Sequence, residues 1–257
     1  MKRIVWGWVV LLLFAAAVPA GAAEWYLRGA AGFEWSLTAD FSDQDATSTR
    51  PPAYFGTGPG SDGRAIGAYG DFGRFPSVEV AVGRQLLTWL RGEFALTFRP
   101  DMSYRAQANF RNVPGEQPVT GSTDSLSGTA NLYLDIAGLP GVRLGRFRPY
   151  LGGGIGAAHH WLEEMTYRFP GLTAHKVTIT PSGQKTDFAF MATVGTGIVL
   201  TERVILDIAY RYTDLGRIYT DAGTMYLNNL PAGEAVAETW APLRTHGIFA
   251  GIRYLFR

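Results

Sequence analysis

Cysteine is missing altogether from the 257 residues. That excludes a disulfide framework and a thiolate metal site, so stability has to come from burial and backbone pairing. A charge excess of one sign is missing too: 23 Lys and Arg stand against 22 Asp and Glu, and no nucleic-acid partner is implied. Beyond residue 23 no run is apolar for the roughly 18 residues that a membrane-crossing helix needs, although 47% of the chain is hydrophobic. Any crossing of a bilayer therefore falls to strands. Long runs of helix formers are scarce in the same region, whereas glycine (32 residues) and aromatic side chains (13%) are abundant. No repeat or linker divides the sequence, and about 235 residues fit one all-β domain with no second domain beside it.

The beginning of the chain has a different character. Lys2 and Arg3 precede an apolar run from Ile4 to Val18, then Pro19 and the small residues Ala20-Gly21-Ala22-Ala23. Charge, core length and small-residue exit together predict a signal peptide over 1–23, cleaved near Ala22 or Ala23, and hence an exported protein. A membrane anchor would need about 20 apolar residues and has fewer. Loss of Lys2 and Arg3 leaves 21 basic against 22 acidic residues, a mature charge of −1.

Period-two alternation runs through the rest. Trp25, Leu27, Gly29, Ala31, Phe33, Trp35 and Leu37 fall on one face and Tyr26, Arg28, Ala30, Gly32 and Glu34 on the other. Val78, Val80 and Val82 oppose Glu79 and Ala81. Leu90 to Phe98 opposes Arg91, Glu93 and Arg99, which a helix would scatter around its circumference. Further segments are Leu126–Ile136, Pro149–Ala157, Phe188–Leu200 (the weakest alternation), Val204–Thr213 and His246–Phe256. Eight strands are thus predicted. Long connections at 39–76, 100–124, 161–186 and 214–242 alternate with short ones such as 84–88 and 200–203. An even strand count with strictly alternating long and short loops predicts an eight-stranded antiparallel transmembrane β-barrel, an up-and-down meander over 24–257 with both termini periplasmic. The long loops, rich in Asp, Gly and Pro, are expected to be mobile and extracellular, with hairpin extensions.

Aromatic residues near strand ends suggest two interfacial girdles: Trp25, Trp89, Tyr150, Tyr254 and Phe256 toward the periplasm, and Trp35, Phe98, Tyr104, Trp161 and Tyr212 toward the outside.

Three segments carry a family likeness: Ser127-Gly128-Thr129-Ala130-Asn131-Leu132-Tyr133-Leu134-Asp135, then Arg148-Pro149-Tyr150-Leu151-Gly152-Gly153-Gly154-Ile155-Gly156-Ala157, and the ending Gly251-Ile252-Arg253-Tyr254-Leu255-Phe256-Arg257. Together they resemble the small outer-membrane β-barrel family of OmpX-like and opacity-type surface proteins. The resemblance implies a bacterial outer-membrane location, contact with lipid and lipopolysaccharide, and insertion by the barrel assembly machinery through the strand Ile248–Phe256. Members usually end on phenylalanine; here Arg257 follows Phe256 while the alternation before it is intact.

An eight-strand lumen is just wide enough for side chains to fill, and its expected lining is ionic: Arg28, Glu34, Glu79, Arg91, Glu93, Arg99, Asp135, Asp207, Arg211 and Arg253. Strand positions predict the pairs Arg91 with Asp135 and Asp207 with Arg253. A plug is favoured over a gated polar channel. The string Gly152, Gly154, Ala157 superficially matches a dinucleotide fingerprint but lacks the helix that motif requires, so glycine is read as room for bulky partners such as Tyr133 or Phe249. His159-His160 with Glu163-Glu164 is the one cluster suited to acid–base or metal chemistry; His175 and His246 add nothing convergent. The expectation is a non-enzymatic surface protein without cofactor or metal, acting through its loops on a host, envelope or protein partner. A small passive porin and a lipid-A-modifying rim enzyme are the alternatives.

Overall fold

The computed structural model describes residues 24–172, 176–227 and 230–256; the expected signal peptide, His175 and Arg257 lie outside them. One antiparallel sheet holds fourteen strands. In chain order they are β1 (Trp25–Ser36), β2 (Ser42–Asp43), β3 (Ala68–Asp71), β4 (Arg74–Leu87), β5 (Leu90–Ala108), β6 (Pro118–Asp135), β7 (Phe147–Leu162), β8 (Met165–Phe169), β9 (Lys176–Thr180), β10 (Gly183–Val199), β11 (Val204–Thr220), β12 (Gly223–Leu227), β13 (Leu230–Val236) and β14 (Thr239–Phe256). A 3-10 turn at Ile136–Gly138 is the one helical element among the described residues.

Fourteen strands stand where eight were expected, and the difference is local. Six short strands of two to seven residues, β2, β3, β8, β9, β12 and β13, lie inside three of the four long connections, the first, third and fourth. The other eight run from 12 to 19 residues. Pairing passes from β1 to β4, β5, β6, β7, β10, β11 and β14, and β14 pairs back with β1 over Trp25↔Phe256 to Ser36↔Thr245. The long connections are shorter than expected because these strands continue into them: β5 and β6 leave only 109–117 between them.

The alternation sorts by environment. Leu27, Phe33, Val78, Val80, Phe94 and Ile155 point outward and are exposed, while Tyr26, Arg28, Glu79, Arg91 and Arg211 point inward and are buried. Along β5 the outward apolar face spans Leu90 to Phe98, roughly 30 Å of strand and about 23 Å of depth at the usual tilt, close to the apolar band of outer-membrane barrels. Past it the outward side chains become polar, with Asp101, Ser103, Arg105 and Gln107 on the same face. A register shift between Arg99 and Met102 coincides with that boundary, and Asp101 there has φ 48°. A second shift lies between Asp214 and Arg217. Such bulges at a barrel rim bend a strand and increase its twist.

Strands β6 and β7 approach closely along the glycine-rich face. A Cβ built on Gly156 would lie 1.9 Å from the Gly128 carbonyl oxygen, a backbone atom that cannot move aside. Gly156→Leu is therefore expected to abolish the compact species that migrates ahead of the heat-denatured chain on unheated gels, whereas Ile155→Leu on the outward face should keep it.

Candidate functional site

The barrel interior is built in layers. Five arginines and five carboxylates are buried there: Arg28, Arg91, Arg99, Arg211 and Arg253 with Glu34, Glu79, Glu93, Asp135 and Asp207. At the short-turn end Arg91 Nε donates to Asp135 Oδ1 at 3.0 Å, and Arg253 binds Asp207 through Nε at 3.1 Å and Nη2 at 2.9 Å. The structure thus brings together both pairs anticipated from strand position. Arg28 faces Arg253 in register, yet its guanidinium reaches to the next layer, onto Glu93 at 2.6 and 3.1 Å and Glu79 at 2.7 Å. Arg211 closes on the same Glu79. Nearest the long loops, Arg99 donates to Glu34 at 2.8 Å and to Ser127 at 2.8 Å.

Neutral side chains add hydrogen bonds to these layers. Tyr26 and Tyr133 donate to Glu93 at 3.0 and 2.9 Å, Thr97 to Glu79 at 2.6 Å, and Thr245 to Glu34 at 2.7 Å. The sequence did not assign these four to the charge network, although period two places each on the polar face of its strand. Guanidinium planes also stack: Arg91 lies 4.1 Å from the Tyr133 ring and 4.5 Å from the Tyr150 ring, and Arg211 lies 4.3 Å from Phe249. The glycine string read against a nucleotide fold makes room for this packing, since a Cβ on Gly152 would meet Tyr133 Cδ1 at 2.4 Å. Phe249 instead lies over Gly32.

Beyond the Glu34–Arg99 layer the interior turns apolar. Phe72, Phe75, Met102, Tyr104, Leu215 and Leu243 form a buried cluster with Phe41 and Phe55 from the first long connection. Tyr104 donates its hydroxyl to the carbonyls of Ala39 at 2.8 Å and Ala68 at 3.0 Å. The Asp43 carboxylate accepts from the backbone amides of Tyr54, Phe55 and Gly56, while β2 pairs with β14 and β3 with β5. Asn109 ties the second connection to the first, donating to Asp62 at 2.7 Å and Ala65 at 2.9 Å. The hydrogen bond from Asn109, together with Arg64, holds the Asp62 carboxyl down at about 2.

The aromatic residues expected at the two interfaces fall in different environments. Trp25, Tyr254 and Phe256 are exposed on the outer face at the short-turn end, and Trp161 is exposed near the other rim. Trp35 packs 5.4 Å from His246, and Trp89 sits in the short turn after β4. Tyr150 and Tyr104 are corrections: both are buried inside, because their positions fall on the inward parity of β7 and β5. The same parity separates the histidine pair. His160 is buried with Nε2 3.0 Å from the Leu215 carbonyl, while His159 Nδ1 lies 2.7 Å from Thr186 Oγ1 on the other face. Glu163 accepts from Ser122 at 2.7 Å, and His246 Nδ1 lies 3.0 Å from the Tyr210 hydroxyl. The structure does not bring His159, His160, Glu163 and Glu164 together, and no cluster of metal-ligating side chains forms among the described residues.

An antiparallel sheet returning on itself, apolar outside and ionic within, defines an outer-membrane barrel class. Residues 8–234 match the outer membrane protein beta-barrel domain family. The chain belongs to that family, and its place is the bacterial outer membrane. No curated protein matches it by sequence. Among solved structures it is similar to Neisserial surface protein A (17% identity, 92% of this chain and 100% of that one, TM-score 0.43). It is also similar to OprG of Pseudomonas aeruginosa (16%, 92% and 97%, TM-score 0.49). The outer membrane protease OmpT of Escherichia coli aligns as well (9%, 93% and 99%, TM-score 0.45).

Removing one partner of a buried, hydrogen-bonded ion pair leaves an uncompensated charge and costs about 3–5 kcal/mol. Glu79→Ala, which strands Arg211 and leaves Arg28 on Glu93 alone, is expected to lose that much in reversible urea unfolding from lipid vesicles. Asp62→Ala at the exposed loop surface should leave the midpoint nearly unchanged.

Proposed function

We propose that the protein is a sealed outer-membrane barrel whose eight long strands cross the membrane, with both termini in the periplasm and a signal peptide removed near Ala22 or Ala23. Its role is non-enzymatic and is carried by the extracellular loops, which present a surface to an envelope, host or protein partner in the lipopolysaccharide layer. One observation carries this reading: each of the five lumen arginines is bonded to a carboxylate of the same lumen, five against five. A water path lined by such pairs would have to break them, whereas the loops above form a platform with its own apolar core, the usual setting for recognition on a rigid scaffold. Assembly is proposed to proceed through β14, whose outward Ile248, Ala250, Ile252, Tyr254 and Phe256 present an unbroken alternation to the assembly machinery.

In planar bilayers the purified protein is expected to show no steady, discrete conductance. Reproducible channels altered by Arg91→Ala or Asp207→Ala would replace this reading with a passive porin. A lipid A mass profile that changes with the protein and reverts with His160→Ala would replace it with a rim enzyme.

Because the chain has no cysteine, single introduced thiols report orientation cleanly. Ser61→Cys should react with a membrane-impermeant maleimide on intact cells, and Arg143→Cys only after the outer membrane is opened. The reverse pattern would invert the topology.

A further inference from the structure

The four long connections converge on a groove of about 430 Å³ at the end of the barrel remote from the termini, within the roughly 300–1,000 Å³ range of small-molecule sites. Each connection supplies part of its apolar wall: Tyr54 from the first, Phe110 and Val113 from the second, Leu172 from the third and Met225 from the fourth. These side chains are half-buried, and four of them, Tyr54, Phe110, Val113 and Leu172, pack against the buried loop cluster. Tyr54 meets Phe110 edge-on at 5.7 Å, and Phe110 meets Phe169 at 5.8 Å. The floor is therefore an aromatic surface held from below.

Two charged side chains line this groove, Arg111 and Lys176, and both are cationic and exposed. Neither forms an ion pair among the described residues, and two acids of the first connection are engaged elsewhere. Asp43 is taken up by three backbone amides, and Asp62 by Asn109 and Arg64. An apolar trough with two uncompensated cations complements a ligand that has one apolar body and one negative head.

We infer that this groove binds a small amphipathic anion, an aryl or alkyl carboxylate, with its hydrocarbon part on the aromatic floor and its carboxylate between Arg111 and Lys176. The inference rests on the loop platform being the functional end of the protein, and it names the ligand class of that platform. Opposite charge at the same shape is disfavoured by the two cations, and a headgroup without an apolar body leaves the floor unused.

The test is calorimetric titration of the full barrel in lipid nanodiscs with 2-naphthoate, with empty nanodiscs subtracted and 2-naphthylmethylammonium and acetate as comparison probes. Saturable one-to-one binding of 2-naphthoate is expected, with neither comparison probe saturating. The Arg111→Ala/Lys176→Ala double variant should weaken binding about tenfold or more, as expected for loss of charge-assisted hydrogen bonds. Arg111→Glu/Lys176→Glu should shift preference to the ammonium probe. Absence of saturable binding, or equal affinity in the double variant, overturns the inference. Proteinase K digestion of the same samples separates the two levels: resistant loops without naphthoate binding overturn the groove alone, and digested loops without binding overturn the platform as well.

Discussion

Hydrocarbon offers no partner to a backbone amide or carbonyl, so a strand crossing it must be paired along both edges. The circuit from β1 through β4, β5, β6, β7, β10 and β11 to β14 and back meets that demand without leaving an edge. The rest follows from this closure. Pairing on both sides leaves alternate side chains with one of two destinations, lipid or lumen. With eight crossing strands, as proposed above, the lumen is narrow enough for those side chains to fill. What fills it then has to satisfy itself.

Arginine and carboxylate meet that need in a particular way. Taking an ion out of water costs several kcal/mol, and only a well-placed counter-ion with additional hydrogen bonds recovers it. Five guanidinium groups against five carboxylates leave the lumen neutral, and Tyr26, Tyr133, Thr97 and Thr245 occupy acceptor sites the arginines leave open. The planar guanidinium also stacks on rings, as Arg91 does on Tyr133 and Tyr150, which a lysine ammonium would do less well. Glu79, held by both Arg28 and Arg211, connects strands that are not neighbours in the sheet.

Above the apolar band the arrangement inverts. Within the band hydrophobic side chains face out and charges face in; beyond the shifts at Arg99–Met102 and Asp214–Arg217 polar residues face out and Phe72, Met102, Tyr104 and Leu215 face in. The change of solvent from lipid to water explains it. The extended strands and the folded-down first connection therefore make a small water-soluble core on top of a membrane-embedded one, and the four-loop groove is the exposed upper side of that core.

Much of this was legible in the residues themselves. Alternation located the eight long strands and assigned faces to six of them, because side-chain direction in a strand depends only on parity; even the pairs Arg91–Asp135 and Asp207–Arg253 came from counting positions along strands. The loops were not legible. Phe41, Tyr54, Phe55 and Phe72 follow no period, so 39–76 looked polar and mobile, whereas its apolar side chains meet partners distant in sequence on β5, β6, β8 and β11. Tyr150 looked interfacial from its position near a strand end, while its parity buries it. The sequence by itself determined which side chains lie on the same face of each strand, since that is a local property of extended backbone. Only the tertiary structure decided which charges meet across the lumen and how the loops close above it, since both depend on contacts between segments far apart in the chain.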